Sequence, residues 1–354
     1  MSATAVKGFL ALEDGTIFRG DSVGAEGFAC GEAVFTTGMA GYQEAVTDPS
    51  FSEQLVCFTA PMVGNYGVAD DRSESRKAHA KAVLMREARG PAWTDWLHER
   101  GVVALTGIDT RSLVLKLRDS GAMQAVVVSG PASVDEAVAT AATQPPMAGR
   151  ALVEAVSVAE PYRYTEEGRA RVAVVDYGVK RSVLRRLAAA GAAVTVYPHD
   201  VDADELAGYD GVLLSPGPGD PSPLQQQTAI VRDLVGRTHL LGICLGHQVL
   251  AMATGHETFK LPFGHRGANH PVLQRADGRV LVTSQNHGFA VRASDAKEAT
   301  HVSLYDDTVE GLDFPDLHAR SLQFHPEAGP GPHDAWPLLE HWVDEVAAGS
   351  GGTT

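Results

Sequence analysis

Apolar positions follow two different patterns along the chain, and the pattern changes near its middle. Up to about residue 144, short alternating apolar runs at 8–12, 17–19, 32–36 and 54–59 are separated by glycine-rich turns. Alternation over this length marks strands, and 124–128 adds another, while 113–118 and 134–142 carry helical spacing. Residues 1–144 therefore read as an N-terminal mixed β/α domain. Pro145 and Pro146 interrupt the pattern, and the polar, irregular stretch after them makes 145–170 a linker.

From 171 to 348 strands and helices alternate. The continuous apolar run 172–175 suits a parallel sheet covered on both faces, and 181–190 after it has helical composition. Residues 194–197, 211–214 and 239–243 read as further strands, with helices at 224–235 and 248–253. This is the α/β pattern of a doubly wound parallel sheet, whose chemistry belongs at the carboxyl ends of its strands. Shorter strands follow at 280–283, 289–291, 309–312 and 321–324, then an amphipathic helix at 335–347. Residues 349–354 read as a flexible tail.

Composition narrows the function. At 354 residues the chain is long enough for two cores. Its net charge of -15 argues against nucleic acid, which draws affinity from clustered Lys and Arg. The three cysteines form neither a disulfide framework nor a metal-binding spacing, so no metal is expected. No segment approaches the roughly 20 apolar residues of a membrane span, and the N-terminal apolar stretch is too short for a secretory signal. A cytoplasmic protein without a membrane partner is expected.

The most informative segment is Gly242-Ile243-Cys244-Leu245-Gly246-His247-Gln248, a cysteine between glycines where a strand enters a helix. This is the pattern of a nucleophile elbow, a turn so sharp that its neighbours must be small. Cys30 and Cys57 lack such flanks and read as core. A cysteine nucleophile needs a base and a group to orient it. His325-Pro326-Glu327 offers both, because alternate residues of an extended chain share a face. Two loops join them. The turn 215–221, rich in proline and glycine, can expose amides to an anion, and the polar loop 284–289 could hold an amino acid.

Together Cys244, His325 with Glu327, and the Pro216-Gly217-Pro218-Gly219 turn resemble a class I glutamine amidotransferase domain. The N-terminal part resembles the small subunit of glutamine-hydrolysing carbamoyl-phosphate synthase, through residues 12–16, 38–44 with 47–50, 64–67 and 107–111. In the second half, 263–271, 285–289 and 325–333 look the same way. Ser182 and Gly329 depart from the usual Asn and Ser.

The resemblance implies that Cys244 attacks the side-chain amide of L-glutamine, that His325 carries the proton to the leaving ammonia, and that Glu327 orients His325. It implies glutamine binding by Ser50, Gly217, Gly219, Leu245, Gln248, Asn286, Gly288 and Phe289. The Gly217 and Leu245 amides would be oxyanion donors, and Ser50 would bring a first-domain loop over the pocket. The chain lacks any GxxxxGK[ST] loop. ATP and Mg2+ are therefore expected on a large synthetase subunit, with no cofactor in this chain; that partner would make carbamoyl phosphate for arginine and pyrimidine synthesis. Two rivals stand beside this reading: a subunit serving another synthetase, as in anthranilate or guanylate synthesis, and a non-catalytic scaffold of the same fold.

Overall fold

The computed structural model of the chain describes residues 7–292 and 296–350. Met1–Met147 with Pro262–Arg266 cluster into one unit, and Ala148–Leu261 with Gly267–Thr354 into a second.

In the first unit β1 (Lys7–Leu12), β2 (Ile17–Ser22), β3 (Gly27–Thr36), β4 (Gln54–Phe58), β5 (Ala82–Leu84), β6 (Val103–Thr106) and β7 (Met123–Ser129) close a barrel in the order β1-β2-β6-β5-β4-β3-β7. Successive side chains of a strand point to opposite faces, and β7 shows the result. Met123, Ala125 and Val127 enter a core with Leu10, Leu55, Leu84 and Leu105. Val126 and Val128 pack outward with Phe9 and Ala137. The helices α1 (Tyr42–Thr47), α2 (Pro91–Glu99) and α4 (Val134–Ala142) cover this outer surface, while α3 (Thr110–Ser120) packs Leu113 and Leu117 against the inner core. Trp93 and Trp96 of α2 lie over Val56, Val83 and Ala104. Strands β5 and β6, three and four residues long, are too short to show a period in the sequence. Their parallel pairing with β4 and with each other holds them.

The second unit holds β8 (Tyr162–Arg163), β9 (Ala170–Val175), β10 (Ala192–Tyr197), β11 (Gly211–Leu214), β12 (His239–Ile243), β13 (Glu257–Gln274, except Pro262–Arg266), β14 (Val280–Arg292), β15 (Ala299–Ser303), β16 (Val309–Phe314) and β17 (Ala319–Leu322). Their order is β14-β13-β15-β16-β17-β12-β11-β9-β10-β8, and β10, β9, β11, β12 and β17 run parallel. Around them lie α5 (Arg181–Ala189), α6 (Ala203–Leu206), α7 (Gln225–Leu234), α8 (Leu245–Ala253) and α9 (Trp336–Ser350). Val172, Val174, Leu213, Leu241 and Ile243 meet α5 and α9 through Leu187 and Trp342. Their alternates Ala173, Val175, Val212, Leu214 and Leu240 meet α7 and α8 through Val231 and Val249. Burial on both faces explains why these strands read as unbroken apolar runs.

Four expectations change. Residues 148–168 are not a free linker: Ala151 bridges Gly219, the Val158 N–H donates to Asp176 Oδ2 (2.9 Å), and β8 pairs with β10. Polar side chains there face outward while the backbone is bound to the sheet. Gly349 and Ser350 belong to α9, and 351–354 lie outside the described residues. The stretch 284–289, expected as a loop, is the middle of the 13-residue β14. Finally, β17 stops at Leu322, so His325 and Glu327 are not in a strand; His325 makes an isolated bridge to Ser284 and the chain then turns.

Candidate active site

Cys244 stands between β12 and α8 with φ 53° and ψ -105°, a left-handed conformation for a residue that carries a Cβ. Such strain costs on the order of 1–3 kcal/mol and persists only where the surroundings impose it. Here the surroundings are backbone. A Cβ on Gly246 would lie 2.1 Å from the Leu214 carbonyl oxygen, and one on Gly242 2.5 Å from the Gly246 oxygen. The Cys244 N–H donates to the Leu322 carbonyl (2.8 Å) and the Gly246 N–H to that of Ser215 (3.1 Å). The turn thereby lifts the thiol above the sheet, where Sγ donates to the Asn286 carbonyl at 3.6 Å.

His325 is buried, and its Nδ1–H donates to Glu327 Oε1 at 2.7 Å. Among the described residues Nε2 has no conventional hydrogen-bond partner, which leaves it to serve the thiol. Burial and the Lys180 charge oppose protonation of His325. The Glu327 carboxylate and the Cys244 thiol prevail and raise its pKa from the ordinary 6.5 to about 9. For Glu327, burial favours the neutral acid, but Lys180 and His325 hold the carboxyl well below the ordinary range. A buried charge is tolerated only with such partners. Lys180 Nζ lies 2.5 Å from Glu327 Oε1 and also donates to the Gly329 carbonyl (3.5 Å).

Lys180 is the functional residue that the sequence pattern hides. A lysine five residues after β9, at the start of α5, reads as solvated, yet it is 2 % exposed. Asp176 sets that turn by accepting from the Gly178 and Val179 N–H groups at 2.9 and 2.7 Å.

The other thiols and the elbow's own histidine are inert by environment. Burial pushes the Cys57 thiol up to about 12 and also raises that of Cys30. His247 is pushed down to about 3 by burial, and its Nδ1 pairs with Ser321 Oγ at 2.8 Å.

The residues expected to hold the substrate fall into two groups. Within the second unit, a Cβ on Gly217 would meet the Tyr177 oxygen at 2.1 Å and Leu245 Cδ2 at 2.9 Å, so this glycine lies directly beside the elbow. Gly219 has φ 95° and bridges Ala151. Among the described residues neither the Gly217 nor the Leu245 N–H finds a backbone acceptor, and Leu245 opens α8, where amides have no intrahelical partner. Gln248 Nε2 donates to the Phe289 carbonyl (2.8 Å) and Gln323 Oε1 (3.0 Å), which ties α8 to β14 and to the segment leading to His325. Asn286, Gly288 and Phe289 all lie on β14. Ser50 belongs to the first unit, in a 3-10 turn where its N–H donates to Asp48 Oδ1 at 2.9 Å.

Comparison with known proteins adds a history to this geometry. A family model described as "Glutamine amidotransferase class-I" matches residues 173–344, and one described as "Carbamoyl-phosphate synthase small chain, CPSase domain" matches 10–127. Proteins named carbamoyl phosphate synthase small chain are similar over 96 % of this chain. That of Syntrophotalea carbinolica is 43 % identical over 97 % of its own length. That of Xanthomonas campestris is 42 % identical over 97 %, and that of Listeria monocytogenes 43 % over 96 %. Among the described residues no helix is long and apolar enough to cross a membrane.

Proposed function

Because the chain belongs to the family of carbamoyl phosphate synthase small chains, we infer that it hydrolyses L-glutamine at Cys244 and hands the ammonia to a large synthetase chain. The observation that carries this reading is the strained Cys244 elbow served by a His325 whose other nitrogen is fixed on Glu327.

The chemistry follows from the atoms. His325, favoured as the imidazolium by Glu327, carries on Nε2 the proton given up by Sγ, and the sulfur attacks the side-chain amide carbon of glutamine. The carbonyl oxygen becomes an oxyanion, for which the Leu245 and Gly217 amides are the candidate donors; losing one such donor typically costs about a hundred- to a thousandfold in rate. The imidazolium then protonates the amide nitrogen, the C–N bond breaks, ammonia leaves, and a γ-glutamyl thioester remains. Water, deprotonated by the same nitrogen, attacks the thioester and releases glutamate and the thiol. Lys180 keeps Glu327 ionised and so keeps Nδ1–H pointed at it, leaving Nε2 toward sulfur.

Ser50, Gly219, Gln248, Asn286, Gly288 and Phe289 complete the set of glutamine-binding residues in this reading. Free ammonia would be protonated and lost in bulk water, so a partner that consumes it is a chemical need. That partner would bind ATP and Mg2+ and form carbamoyl phosphate in the cytoplasm, for arginine and pyrimidine synthesis. Similarity along 96 % of the chain disfavours service to another synthetase, and intact Cys244, His325 and Glu327 disfavour a bare scaffold.

The test is Cys244→Ala in the complex with its synthetase. Glutamine-dependent synthesis should vanish while synthesis from added ammonia survives. Equal loss of both would mean that Cys244 supports assembly rather than hydrolysis.

A further inference from the structure

Away from the thiol, the first unit carries a cationic pocket that the chemistry above does not use. Arg86 follows β5, Arg111 lies in the first turn of α3, and with Thr59, Thr110, Val114 and Leu115 they line a cavity of about 440 Å³. Its position follows from helical geometry. Leu113 and Leu117 of α3 are buried in the barrel core. Arg111 and Leu115, spaced i and i+4, share the exposed side, and half-buried Val114 lies at the edge between that side and the core.

Both guanidiniums are exposed, and among the described residues neither forms an ion pair or a hydrogen bond. Asp109, whose carboxylate feels the Arg86 charge without a close ion pair, is engaged by the chain: its Oδ1 accepts from the Ser112 N–H (3.0 Å) and its Oδ2 from the Ser112 hydroxyl (2.7 Å). The Thr59 hydroxyl donates to the Thr36 carbonyl (3.0 Å). The free donors are therefore two planar forks and the Thr110 hydroxyl, a set that matches a carboxylate held by paired N–H groups. Pro61 also lines the cavity, and the neighbouring Met62 is exposed, as is Leu115.

A pocket for a small metabolite encloses most of its ligand; here the charged walls stand open to solvent. Unpaired arginines beside exposed apolar side chains are instead the usual make-up of an interface hot spot. The overall negative charge of this chain also repels an acidic partner unless local cations receive it.

We propose that the Arg86–Arg111 pocket receives an Asp or Glu side chain of the ammonia-accepting synthetase chain. The carboxylate bridges the two guanidiniums, and its aliphatic stem rests on Val114 and Leu115. This rests on the functional reading given above, since it needs that partner to exist.

The experiment measures the affinity of the full chain for its synthetase, at low and at physiological salt, for wild type, Arg86→Ala, Arg111→Ala and the double variant. The double variant should bind about 30-fold more weakly and with a smaller salt dependence. Its thermal midpoint and the glutaminase rate of the isolated chain should stay at the wild-type level, because among the described residues neither exposed guanidinium makes a hydrogen bond or a close ion pair. Binding of the double variant within twofold of wild type overturns the proposal. So does a result in which millimolar succinate or inorganic phosphate raises the melting temperature of wild type but not of the double variant, with partner affinity unchanged; the pocket is then a small-anion site. A wild-type chain that binds no synthetase overturns the functional reading itself, before any variant is compared.

Discussion

Gly246→Ala isolates the packing that creates the elbow. Its Cβ would sit 2.1 Å from the Leu214 carbonyl oxygen and 2.6 Å from the carbonyl carbon, both backbone atoms of a buried central strand. Real Cβ atoms stay beyond 3.0 Å, so α8 must retreat from β11 by about 0.9 Å. Overpacking of this kind costs about 1–3 kcal/mol, and a domain of this size loses about 2–4 °C of midpoint per kcal/mol. The kinetic consequence is larger, because the same retreat carries Cys244 and the Leu245 amide away from His325 and Gly217. Misplacement by about 1 Å can cost a hundredfold in rate. Gly208→Ala is the control, since its nearest neighbour lies at 4.0 Å and its φ is ordinary. The assay is glutamine hydrolysis by the complex together with thermal melting of each variant. A Gly246→Ala enzyme with wild-type kcat/KM and an unchanged midpoint would refute the claim that backbone contact sets the turn.

Glu327→Gln removes the buried countercharge of both His325 and Lys180. Breaking a buried pair typically costs about 3–5 kcal/mol, and its pH dependence has a definite sign. His325 is raised from 6.5 to about 9, so its contribution is fully present below pH 6.5 and fades as the pH climbs through 9. Glu327 is depressed, so its contribution is present above pH 4.5 and fades as the pH falls below that. The difference in melting temperature between wild type and variant should be greatest between about pH 5 and 6.5, and a flat difference across pH 5 to 9.5 would contradict the charge assignment. Asp176→Ala leaves the Gly178, Val179 and Val158 N–H groups without their acceptor. At about 1–3 kcal/mol per orphaned donor, the midpoint should fall by several degrees, and kcat should fall as the Lys180 turn loosens. An unchanged kcat in a destabilised protein would show that Lys180 is held by other contacts.

The elbow could be read from sequence because its cause is local. Glycines on either side of Cys244 state a steric requirement within five residues, and the strand leading to it is buried from Leu240 to Ile243 and carries no polar side chain there. Lys180 could not be read, because its partner lies 147 positions away on Glu327 and nothing in its own neighbourhood signals burial. The His325–Glu327 pair was legible as chemistry but not as conformation. Alternation within a strand was the expected reason for their meeting, whereas the chain has already left β17 and the contact is made in a turn.

The misread centre of β14 shows why polarity is a poor guide near a site. Thr283, Gln285 and His287 point inward from one face of the strand, where a hydrophobic pattern would be expected. They are buried because they satisfy one another: Gln285 Nε2 donates to Thr283 Oγ1 (3.2 Å) and Glu310 Oε2 (2.9 Å), while Gln285 Oε1 and the Phe289 carbonyl lie 2.7 and 2.8 Å from the two nitrogens of His287. A strand whose inward face is polar keeps period two but loses the hydrophobic signal that reveals it. The same bonds explain why the chain accepts this arrangement. They hold the Phe289 carbonyl on which Gln248 anchors α8, and α8 begins at the elbow. Local rules of patterning fail at β14 because the residues there fix the nucleophile's helix rather than fill a core.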